Sequence, residues 1–528
     1  MVYRSTSQAD DARNFITPRR VGPRLAALLV LVTMVILTIS LGPWAAVAGD
    51  DQAPQRVAAD DLGVPNDATP PAVTGVRRLA GVAQGGWLAA QTWYLDPLLR
   101  PVSNVKSLFS VAIKSLGGVM ARQSINTFQF PLLAKQPIPP VTGKPGMDLS
   151  EWERYLDDAV GGQSSGQIEL LVDGSEYFPR LLDAVAGARQ SIDIRTYIFD
   201  NDDIGVAVAD RLKARSGEVN VRVLLDGLGQ LVATQVDPDG LPAAFTPPAF
   251  MASYLETDSR VSVRTQTNPW FTGDHSKTTI VDRTQAFVGG MNIGREYRYA
   301  WHDLMAAVTG PIVAKLQFEM DKAWSKASLF GDVALFATTL RGSFPKKARI
   351  ARNANDYPIR ILHTRDHDSQ IYRTQLAAIR RAQSYIYIQN PYFSDDKILY
   401  ELARARRRGV DVRVITASRG DFAIQNLSNR VTINAMLHNG ISVYLYPGMS
   451  HVKAAIYDGW ACLGSANLDK LSLQINQETN LATSHPPVVD ALLQRVFWPD
   501  FAASRELREA SPVEWTHLLA ELLADEAL

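Results

Sequence analysis

The chain has 528 residues, enough for two or three domains that each bury a hydrophobic core. Its hydrophobic fraction of 46% and charged fraction of 20% are those of a globular protein and exclude a chain disordered throughout. Basic and acidic residues both total 54, so the net charge is zero. This balance argues weakly against a protein that binds nucleic acid through a large positive electrostatic field. The single cysteine, Cys462, excludes an intrachain disulfide.

The N-terminal region contains a predicted membrane segment. Residues 1–24 form a basic leader, and an uncharged apolar stretch follows from Leu25 to Val47. At about 1.5 Å per residue this stretch can span a bilayer core. The arginines before it and the acids after it predict a cytoplasmic N-terminus and an exported remainder. Residues 25–48 are therefore predicted to be a transmembrane anchor that holds the catalytic domains on the periplasmic or extracytoplasmic side of the inner membrane. The alternative is a cleaved signal peptide and a secreted or periplasmic protein.

Two segments separate this region from the rest of the chain. Residues 49–75 are acidic and rich in proline and alanine, which is typical of a linker. Residues 76–150 are predicted to be a basic, aromatic helical region, in which Asp96 is the one acid between residues 76 and 135. Such a region can lie on an anionic membrane surface, or it can pack as a helical layer on the catalytic body. The sequence leaves both interpretations open.

After Glu151 the chain repeats itself. Each half contains strand patterns alternating with helical ones at the spacing of βαβ units, which predicts an α/β fold with a largely parallel sheet in each half. The first catalytic domain is predicted at 151–345 and the second at 346–528. The strand patterns lie at residues 167–173, 191–200 and 219–227, and again at 358–364, 384–393 and 410–418.

Each half ends with the same constellation of polar residues. A histidine is followed after one residue by a lysine and after four more by an aspartate, and a glycine and an asparagine come next. Eleven residues beyond each asparagine lies a carboxylate. The first set is His275, Lys277, Asp282, Asn292 and Asp303, and the second is His451, Lys453, Asp458, Ser465, Asn467 and Glu478.

These residue types suit transfer of a phosphoryl centre. Two lysines, two asparagines (Asn292 and Asn467) and Ser465 can bind the non-bridging oxygens of a phosphate without a metal ion. Two histidines on opposite sides of the phosphorus suit in-line displacement, one as nucleophile and the other as general acid. A carboxylate behind each imidazole fixes its tautomer, and Asp303 and Glu478 are the candidates for that role.

The doubled pattern resembles the HKD motif of the phospholipase D superfamily. The resemblance spans roughly residues 165–528. It implies a phosphohistidine intermediate, no metal or other cofactor, and a site at the interface of two pseudo-symmetric α/β domains. It makes His275 the nucleophile and His451 the general acid, although the reverse order fits equally. Asp282 and Asp458 complete the motifs and are expected to hold the structure rather than react.

Several segments are similar to bacterial cardiolipin synthases, including "TYIFDND", "NPYFSDD" and "GSANLDKLSLQINQETNL". The chain departs from that pattern at Ser450 and in "KLSLQ", which leaves the acceptor open. The resemblance implies a phosphatidyltransferase or phospholipase that acts at a phospholipid membrane on phosphatidylglycerol or a similar anionic phospholipid, with no nucleic acid as partner. The alternative is a phosphodiesterase of the same superfamily that cleaves nucleic acid.

Overall fold

The computed structural model describes residues 90–233, 241–242, 245–267, 272–328, 330–340, 352–365, 367–421, 423–517 and 520–521. The predicted leader (1–24), membrane segment (25–48) and linker (49–75) lie outside these ranges. Within them, no helix combines the length and the apolar character needed to cross a bilayer.

Strands and helices alternate along most of the described chain. The strands are β1 (Ser164–Val172), β2 (Ser191–Thr196), β3 (Asn220–Asp226), β4 (Ser262–Gln266), β5 (Thr278–Val281), β6 (Gln285–Gly289), β7 (Leu304–Thr309), β8 (Tyr357–Arg365), β9 (Asp368–Ser369), β10 (Tyr385–Gln389), β11 (Asp411–Ala417), β12 (Ser442–Tyr446), β13 (Ala454–Tyr457), β14 (Trp460–Gly464), β15 (Glu478–Thr483) and β16 (Arg505–Leu507). The α-helices are Asp96–Leu99, Pro101–Ser124, Phe130–Ala134, Leu149–Val160, Asp173–Gly187, Asp203–Arg215, Gly227–Ala233, Met251–Glu256, Arg295–Tyr299, Ile312–Lys326, Gly331–Leu340, Gln370–Arg381, Asp396–Arg407, Ala423–His438, Pro486–Leu492 and Trp498–Ala503. Single π-helical turns lie at Gln91–Leu95, Ile125–Gln129, Leu471–Ile475 and Leu493–Phe497.

One mixed sheet runs through both halves of the described chain. Its strand order is β1–β7–β6–β5–β2–β3–β4 in the first half and β8–β15–β14–β13–β10–β11–β12 in the second, with β16 added beside β12. The two halves therefore place equivalent strands in the same order. They meet where β1 pairs with β8 in antiparallel register, Ser164 opposite Ile359.

The prediction of a largely parallel sheet was wrong. Among the strands of the described residues, only β2–β3–β4 and β10–β11–β12 pair in parallel, and the other strand pairings are antiparallel. The reason lies in the motif strands, since β5–β6 and β13–β14 are hairpins with very short turns. Asp282 and Arg283 in one turn, and Asp458 and Gly459 in the other, have positive φ, as the turns of tight hairpins require. A connection this short permits only antiparallel pairing.

Helices cover the sheet on both faces and bury three large hydrophobic clusters. One cluster lies in each half, and a third joins strands of both halves to the helix Ile312–Lys326 and to the segment Pro486–Phe497. The shared cluster makes the two halves one packed body. The helix Leu149–Val160 precedes β1, yet it contributes Trp152 and Leu156 to the core of the second half.

Candidate active site

In the first half, the motif residues gather at one edge of three neighbouring strands. His275 and Lys277 immediately precede β5, Asn292 follows β6, and Asp303 immediately precedes β7. Because β6 pairs antiparallel with both β5 and β7, the start of β5, the end of β6 and the start of β7 coincide. All four side chains are buried or nearly so. The tight β5–β6 hairpin therefore brings the lysine and the asparagine to the same edge.

The second half repeats this placement. His451 and Lys453 precede β13, Asn467 follows β14, and Glu478 is the first residue of β15. Antiparallel pairing of β14 with β13 and β15 again makes the three strand ends coincide. The sequence predicted the residues of each set, and the structure gives each set its common edge.

The two sets are joined by crossed pairs of histidine and carboxylate. His275 Nδ1 lies 2.9 Å from Glu478 Oε1, and His451 Nδ1 lies 2.6 Å from Asp303 Oδ2. Each imidazole is thus held by the acid of the opposite half. Both carboxylates are fully buried or within 1% of it. With Nδ1 engaged, Nε2 of each ring is the nitrogen left for chemistry.

The backbone repeats the same crossing. The His275 N–H donates to the carbonyl of Gln477, the residue before Glu478, at 2.9 Å. The His451 N–H donates to the carbonyl of His302, the residue before Asp303, at 2.7 Å. Main-chain bonds therefore fix each histidine beside its acid, independently of the side chains.

Both lysines are buried beside the histidines. Lys277 Nζ donates to the His275 carbonyl at 2.8 Å, and Lys453 Nζ donates to the His451 carbonyl at 2.7 Å. Burial, with repulsion from Lys453, lowers the pKa of Lys277 to about 7 against the attraction of Glu478. Burial lowers the pKa of Lys453 to about 8 against the attraction of Asp303 and Glu478. Near neutral pH each lysine is therefore partly an uncharged amine, and an anion that enters the site favours its protonated form.

Burial shifts the other titrating groups of the site as well. It lowers the pKa of His275 and of His451 well below the usual range, and the two lysine charges add to this effect, so both imidazoles are neutral at pH 7. It raises the pKa of Asp303 to about 7 and that of Glu478 to about 8, against the opposing effect of the lysines. Such perturbed values are typical of catalytic sites.

The three predicted phosphate-binding side chains differ in their surroundings. Asn292 donates from its amide to the Tyr297 hydroxyl at 2.8 Å, which uses one of its two amide hydrogens. Ser465 donates to Glu478, so its hydroxyl lies behind that carboxylate. Asn467 is buried, and its Oδ1 has no hydrogen-bond partner among the described residues.

Asp282 and Asp458 lie at the far ends of β5 and β13 from the histidines. Asp282 accepts hydrogen bonds from the backbone N–H groups of residues 189, 190 and 191, between 2.7 and 3.0 Å. Asp458 accepts from the N–H groups of residues 147, 383, 384 and 385, between 2.7 and 3.0 Å. Asp282 therefore binds the backbone where β2 begins, and Asp458 binds the backbone where β10 begins.

The glycines of the motifs make room for neighbouring protein groups. A Cβ at Gly289 or Gly464 would lie 2.4 Å from a carbonyl oxygen of the adjacent strand, so these glycines permit close strand contact rather than contact with a ligand. A Cβ at Gly290 would lie 2.3 Å from Asp303 Oδ1. Ser465 occupies the equivalent position in the second half, where it donates to Glu478.

Sequence reasoning missed the aromatic side chains around the imidazoles. The Tyr197 ring lies 4.9 Å from the His275 ring, centroid to centroid, and 5.3 Å from Lys277 Nζ. Tyr297 and Trp301 lie 5.7 and 5.2 Å from the His451 ring. Their sequence signal was weak: Tyr297 and Trp301 lie within a few residues of Asp303, and Tyr197 directly follows β2.

Sequence reasoning also missed a hydrogen-bonded link between the two halves, which His302 forms. His302 Nδ1 lies 2.8 Å from Asp173 Oδ1, and its Nε2 lies 2.7 Å from Asp500 Oδ2. Although burial acts to lower it, the two carboxylates raise the pKa of His302 to about 10. The ring is therefore charged and links one acid from each half. Its backbone carbonyl is the one that holds His451.

One group of acids among the described residues has the proximity of a metal site. The ligand atoms of Asp200, Asp202 and Glu296 lie within 4.8 Å of one another. Burial raises the pKa of all three, and mutual repulsion adds to this effect for the two aspartates. Asp202 caps the helix Asp203–Arg215 through the Gly205 N–H at 2.7 Å. Helix capping therefore explains the position of Asp202, and none of the three acids belongs to the crossed pairs of histidine and carboxylate.

Comparisons with known proteins identify the family of the chain. The family model described as "Cardiolipin synthase, PLD-like domain" matches residues 181–324 and 376–498. Cardiolipin synthase B of Salmonella typhi is 31% identical over 334 residues, which is 61% of this chain and 77% of that protein. Cardiolipin synthase 1 of Bacillus anthracis is 30% identical over 383 residues, which is 68% of this chain and 72% of that protein.

A solved structure shares the fold. The phosphatidylserine synthase of Haemophilus influenzae Rd KW20 superposes with a TM-score of 0.55 at 14% identity, covering 72% of this chain and 99% of that one. The family match covers both motifs and more than half of the chain. The chain therefore belongs to the cardiolipin synthase family with phospholipase D-like domains, and it is an enzyme of the phospholipase D type.

Proposed function

We propose that the protein is a phosphatidyltransferase that joins two phosphatidylglycerol molecules into cardiolipin and releases glycerol. The observation that carries the proposal is the crossed pairing of His275 with Glu478 and of His451 with Asp303. It gives two imidazoles that are oriented by acids and flanked by two buried lysines, so that one can act as nucleophile and the other, once protonated, as general acid in an in-line displacement at a phosphodiester. The cardiolipin synthases that the chain resembles supply the substrate class.

The first half-reaction transfers the phosphatidyl group to the enzyme. Nε2 of His275 attacks the phosphorus of the donor lipid, and the bond between phosphorus and the glycerol oxygen of the head group breaks. Nε2 of His451 gives its proton to that oxygen, so glycerol leaves neutral. His451 must be protonated for this step, and the negative charge of the bound phosphodiester favours that state by opposing the two lysines.

The second half-reaction reverses these roles. His451, now neutral, takes the proton of a free hydroxyl on the acceptor phosphatidylglycerol. The resulting oxygen attacks the phosphorus, and the bond to His275 breaks. The same sequence with the two histidines exchanged balances equally well. Water as acceptor would give phosphatidic acid, so the fraction of cardiolipin measures how well the site excludes water.

Cationic charge for the transition state comes from Lys277 and Lys453 in this mechanism. Their ammonium groups, with amide hydrogens of Asn292 and Asn467, are proposed to bind the non-bridging oxygens. Ser465 is proposed to act on the phosphate through Glu478, to which it donates. The mechanism assigns no step to a metal ion or to another cofactor. Asp282 and Asp458 are proposed to hold backbone rather than substrate.

The wider organisation remains part of the proposal. Two pseudo-symmetric domains, near 151–345 and 346–528, are proposed to share the site at their interface, which the repeated strand order supports. Residues 25–48 are proposed to anchor the enzyme in the inner membrane with its catalytic domains on the extracytoplasmic side. Cleavage of this segment, with release of the protein, is the alternative. Phospholipid is the proposed partner, and nucleic acid is not.

Product analysis with purified full-length enzyme tests the function. Vesicles of phosphatidylglycerol should yield cardiolipin and glycerol, with phosphatidic acid as a lesser product. Phosphatidic acid alone would identify a hydrolytic phospholipase. Cleavage of single-stranded DNA without lipid turnover would overturn the lipid assignment in favour of a nuclease.

Histidine variants test the shared site. His275→Ala and His451→Ala should each lower the rate by far more than 10-fold, which corresponds to about 1.4 kcal/mol of barrier. Rapid alkaline denaturation during turnover should trap labelled phosphatidyl group on one of the two. His438→Ala is the matched control, since that side chain is exposed at the end of the helix Ala423–His438. A variant of either motif histidine that keeps more than a tenth of the activity contradicts the shared site.

A further inference from the structure

The helix Pro101–Ser124 has its polar face against the protein. Ser107 and Ser110 are buried, Ser103 and Lys114 are half-buried, and these four residues follow helical spacing along one side. Lys114 Nζ donates to the backbone carbonyls of Arg365 and Gln474. A surface helix of a globular protein ordinarily buries its apolar face, and this helix does the opposite.

The apolar side of the same helix faces outward. Six large apolar residues recur at intervals of three or four along it, and each is between 52% and 68% exposed: Val102, Val105, Phe109, Ile113, Leu116 and Met120. Intervals of three and four place them in one stripe about 27 Å long, at about 1.5 Å rise per residue. Water is a poor solvent for such a stripe.

Exposed apolar side chains concentrate around this stripe. Of the 19 large hydrophobic residues exposed among the described residues, 14 lie between residues 94 and 141 and three between 330 and 336. Asp332 fixes the second group to the first, because its carboxylate accepts the Val102 N–H at 2.8 Å and the Ser103 N–H at 3.1 Å. Phe330, Val333 and Phe336 therefore extend the same apolar surface.

The segment around the stripe is basic. Residues 97–147 contain no aspartate or glutamate, and three of their six cations, Lys106, Lys135 and Lys144, are exposed. The other three are bonded to the protein: Arg100 pairs with Asp96, Arg122 pairs with Asp396, and Lys114 donates to backbone carbonyls. A basic segment with an apolar face is the composition of helices that lie in the surface of anionic membranes. The helix does not meet the requirements for crossing a bilayer. Its polar side, moreover, is already bonded to the body of the protein.

We infer that the surface formed by residues 94–132 and 330–336 docks on an anionic phospholipid bilayer, with the helix Pro101–Ser124 lying in the plane of the interface. An apolar medium stabilises an outward apolar face, and the exposed cations Lys106, Lys135 and Lys144, with no acid between residues 97 and 147, favour a medium with negative charge. The inference rests on the proposed function only for the identity of the lipid that the docked enzyme consumes.

The docking surface is coupled to the candidate active site through short contacts. Lys114 binds the Gln474 carbonyl, and a Cβ at Gly118 would lie 3.2 Å from Lys470 Cε. Lys470 and Gln474 belong to the segment between Asn467 and Glu478. The helix therefore lies between the docked membrane and the segment that leads to Glu478, the acid partner of His275.

Single fluorescent labels on the full-length protein test this surface. Cys462 is the only cysteine and is buried, so a cysteine at Phe109, Ile113 or Met120 will be labelled selectively. A cysteine at Trp515, another exposed aromatic residue that lies outside the two stretches, is the control. In phosphatidylglycerol vesicles with a quencher on the acyl chain near the head group, the three test positions should lose at least about half their fluorescence. The label at Trp515 should not, and phosphatidylcholine vesicles should quench the three test positions less.

The outcomes separate docking from catalysis and from other occupants. Protection of the three labels from aqueous iodide without quenching by lipid would show that protein covers the surface, such as a second copy or residues 25–47, and would overturn the inference. Equal quenching at Trp515 would also overturn it. The same measurement on His275→Ala should give unchanged quenching. Quenching without cardiolipin formation by the wild-type protein contradicts the proposed function alone, and cardiolipin formation without quenching contradicts the docking surface alone.

Discussion

Asp303 and His451 lie 148 residues apart in sequence, and 2.6 Å separates the carboxylate Oδ2 of one from the imidazole Nδ1 of the other. Glu478 and His275 make the reciprocal pair at 2.9 Å. Neither half of the chain therefore contains a complete pair of histidine and acid. A site of this kind forms only when both halves fold against each other, and the shared hydrophobic cluster of the two halves stabilises that arrangement.

The crossed pairs predict which histidine each acid controls. Glu478→Gln and Asp303→Asn should each lower the rate between about 10- and 10⁴-fold, the upper limit being that of a wrong tautomer. In ¹⁵N spectra of labelled histidine, Glu478→Gln should move the Nδ1 signal of His275 and leave that of His451 in place, and Asp303→Asn should do the reverse. The opposite assignment, or rates near wild type, would contradict the crossed geometry.

Gly290 provides a test that leaves both residues of a pair intact. A Cβ there would lie 2.3 Å from Asp303 Oδ1, so Gly290→Ala should displace that carboxylate from His451 and lower the rate at least about 10-fold. Gly217→Ala is the control, because a Cβ at that position meets nothing within 4 Å. A crystal structure of Gly290→Ala should show a longer distance from Asp303 to His451. Full activity would mean that Asp303 tolerates the displacement.

The sequence predicted the members of the site but not their partners. Each acid follows the asparagine of its own half by eleven residues, so spacing alone suggests a pair within that half. The exchange depends on how the two edges face each other, which local patterns do not encode. The same limit applies to His302, whose partners Asp173 and Asp500 are distant in sequence. Strand patterns were easier to identify, because alternating apolar residues specify them locally.

The basic region illustrates a different limit. Composition left membrane contact and packing on the body as open alternatives for residues 76–150. In the helix Pro101–Ser124 one face packs on the body and the other faces outward. Polar residues such as Ser107 are buried against the body, and apolar residues such as Phe109 are exposed. The spacing of the two faces was present in the sequence. Which of them faced the body depended on hydrogen-bond partners elsewhere in the chain, such as Asp332.

The lowered pKa values of the two lysines predict how anion binding depends on pH. With values of about 7 for Lys277 and about 8 for Lys453, each lysine loses its charge as the pH rises through its pKa. The affinity for tungstate, whose own charge is constant in this range, should therefore fall between pH 6 and 9, and ionisation of Asp303 and Glu478 in the same range acts in the same direction. Titration calorimetry at pH 8 in two buffers of different ionisation enthalpy should show proton uptake on binding.

A lysine variant is the control for this pH dependence. Lys453→Met removes one of the two titrating charges, so the slope of the logarithm of affinity against pH should become shallower and tungstate should bind more weakly throughout. An affinity that stays level from pH 6 to 9 in the wild-type protein would mean that both lysines keep their ordinary pKa and that burial does not lower it.

The hydrogen-bonded link at His302 predicts that the protein loses stability at alkaline pH. Its pKa is raised from 6.5 to about 10 in the folded protein, so its contribution is fully present below pH 6.5 and disappears as the pH rises through 10. Over that window the free energy of unfolding should fall by at most about 1.4 kcal/mol per pH unit from this group.

Denaturant midpoints of the wild-type protein at pH 6.5 and 9.5 should differ by more than those of His302→Gln, which carries no charge at either pH. Because the ring also stacks on Tyr446 at 4.7 Å, Tyr446→Phe serves as a control that keeps the stacking and should preserve the wild-type pH dependence. Equal shifts in the wild-type protein and His302→Gln would show that the charged ring does not link Asp173 to Asp500 in solution.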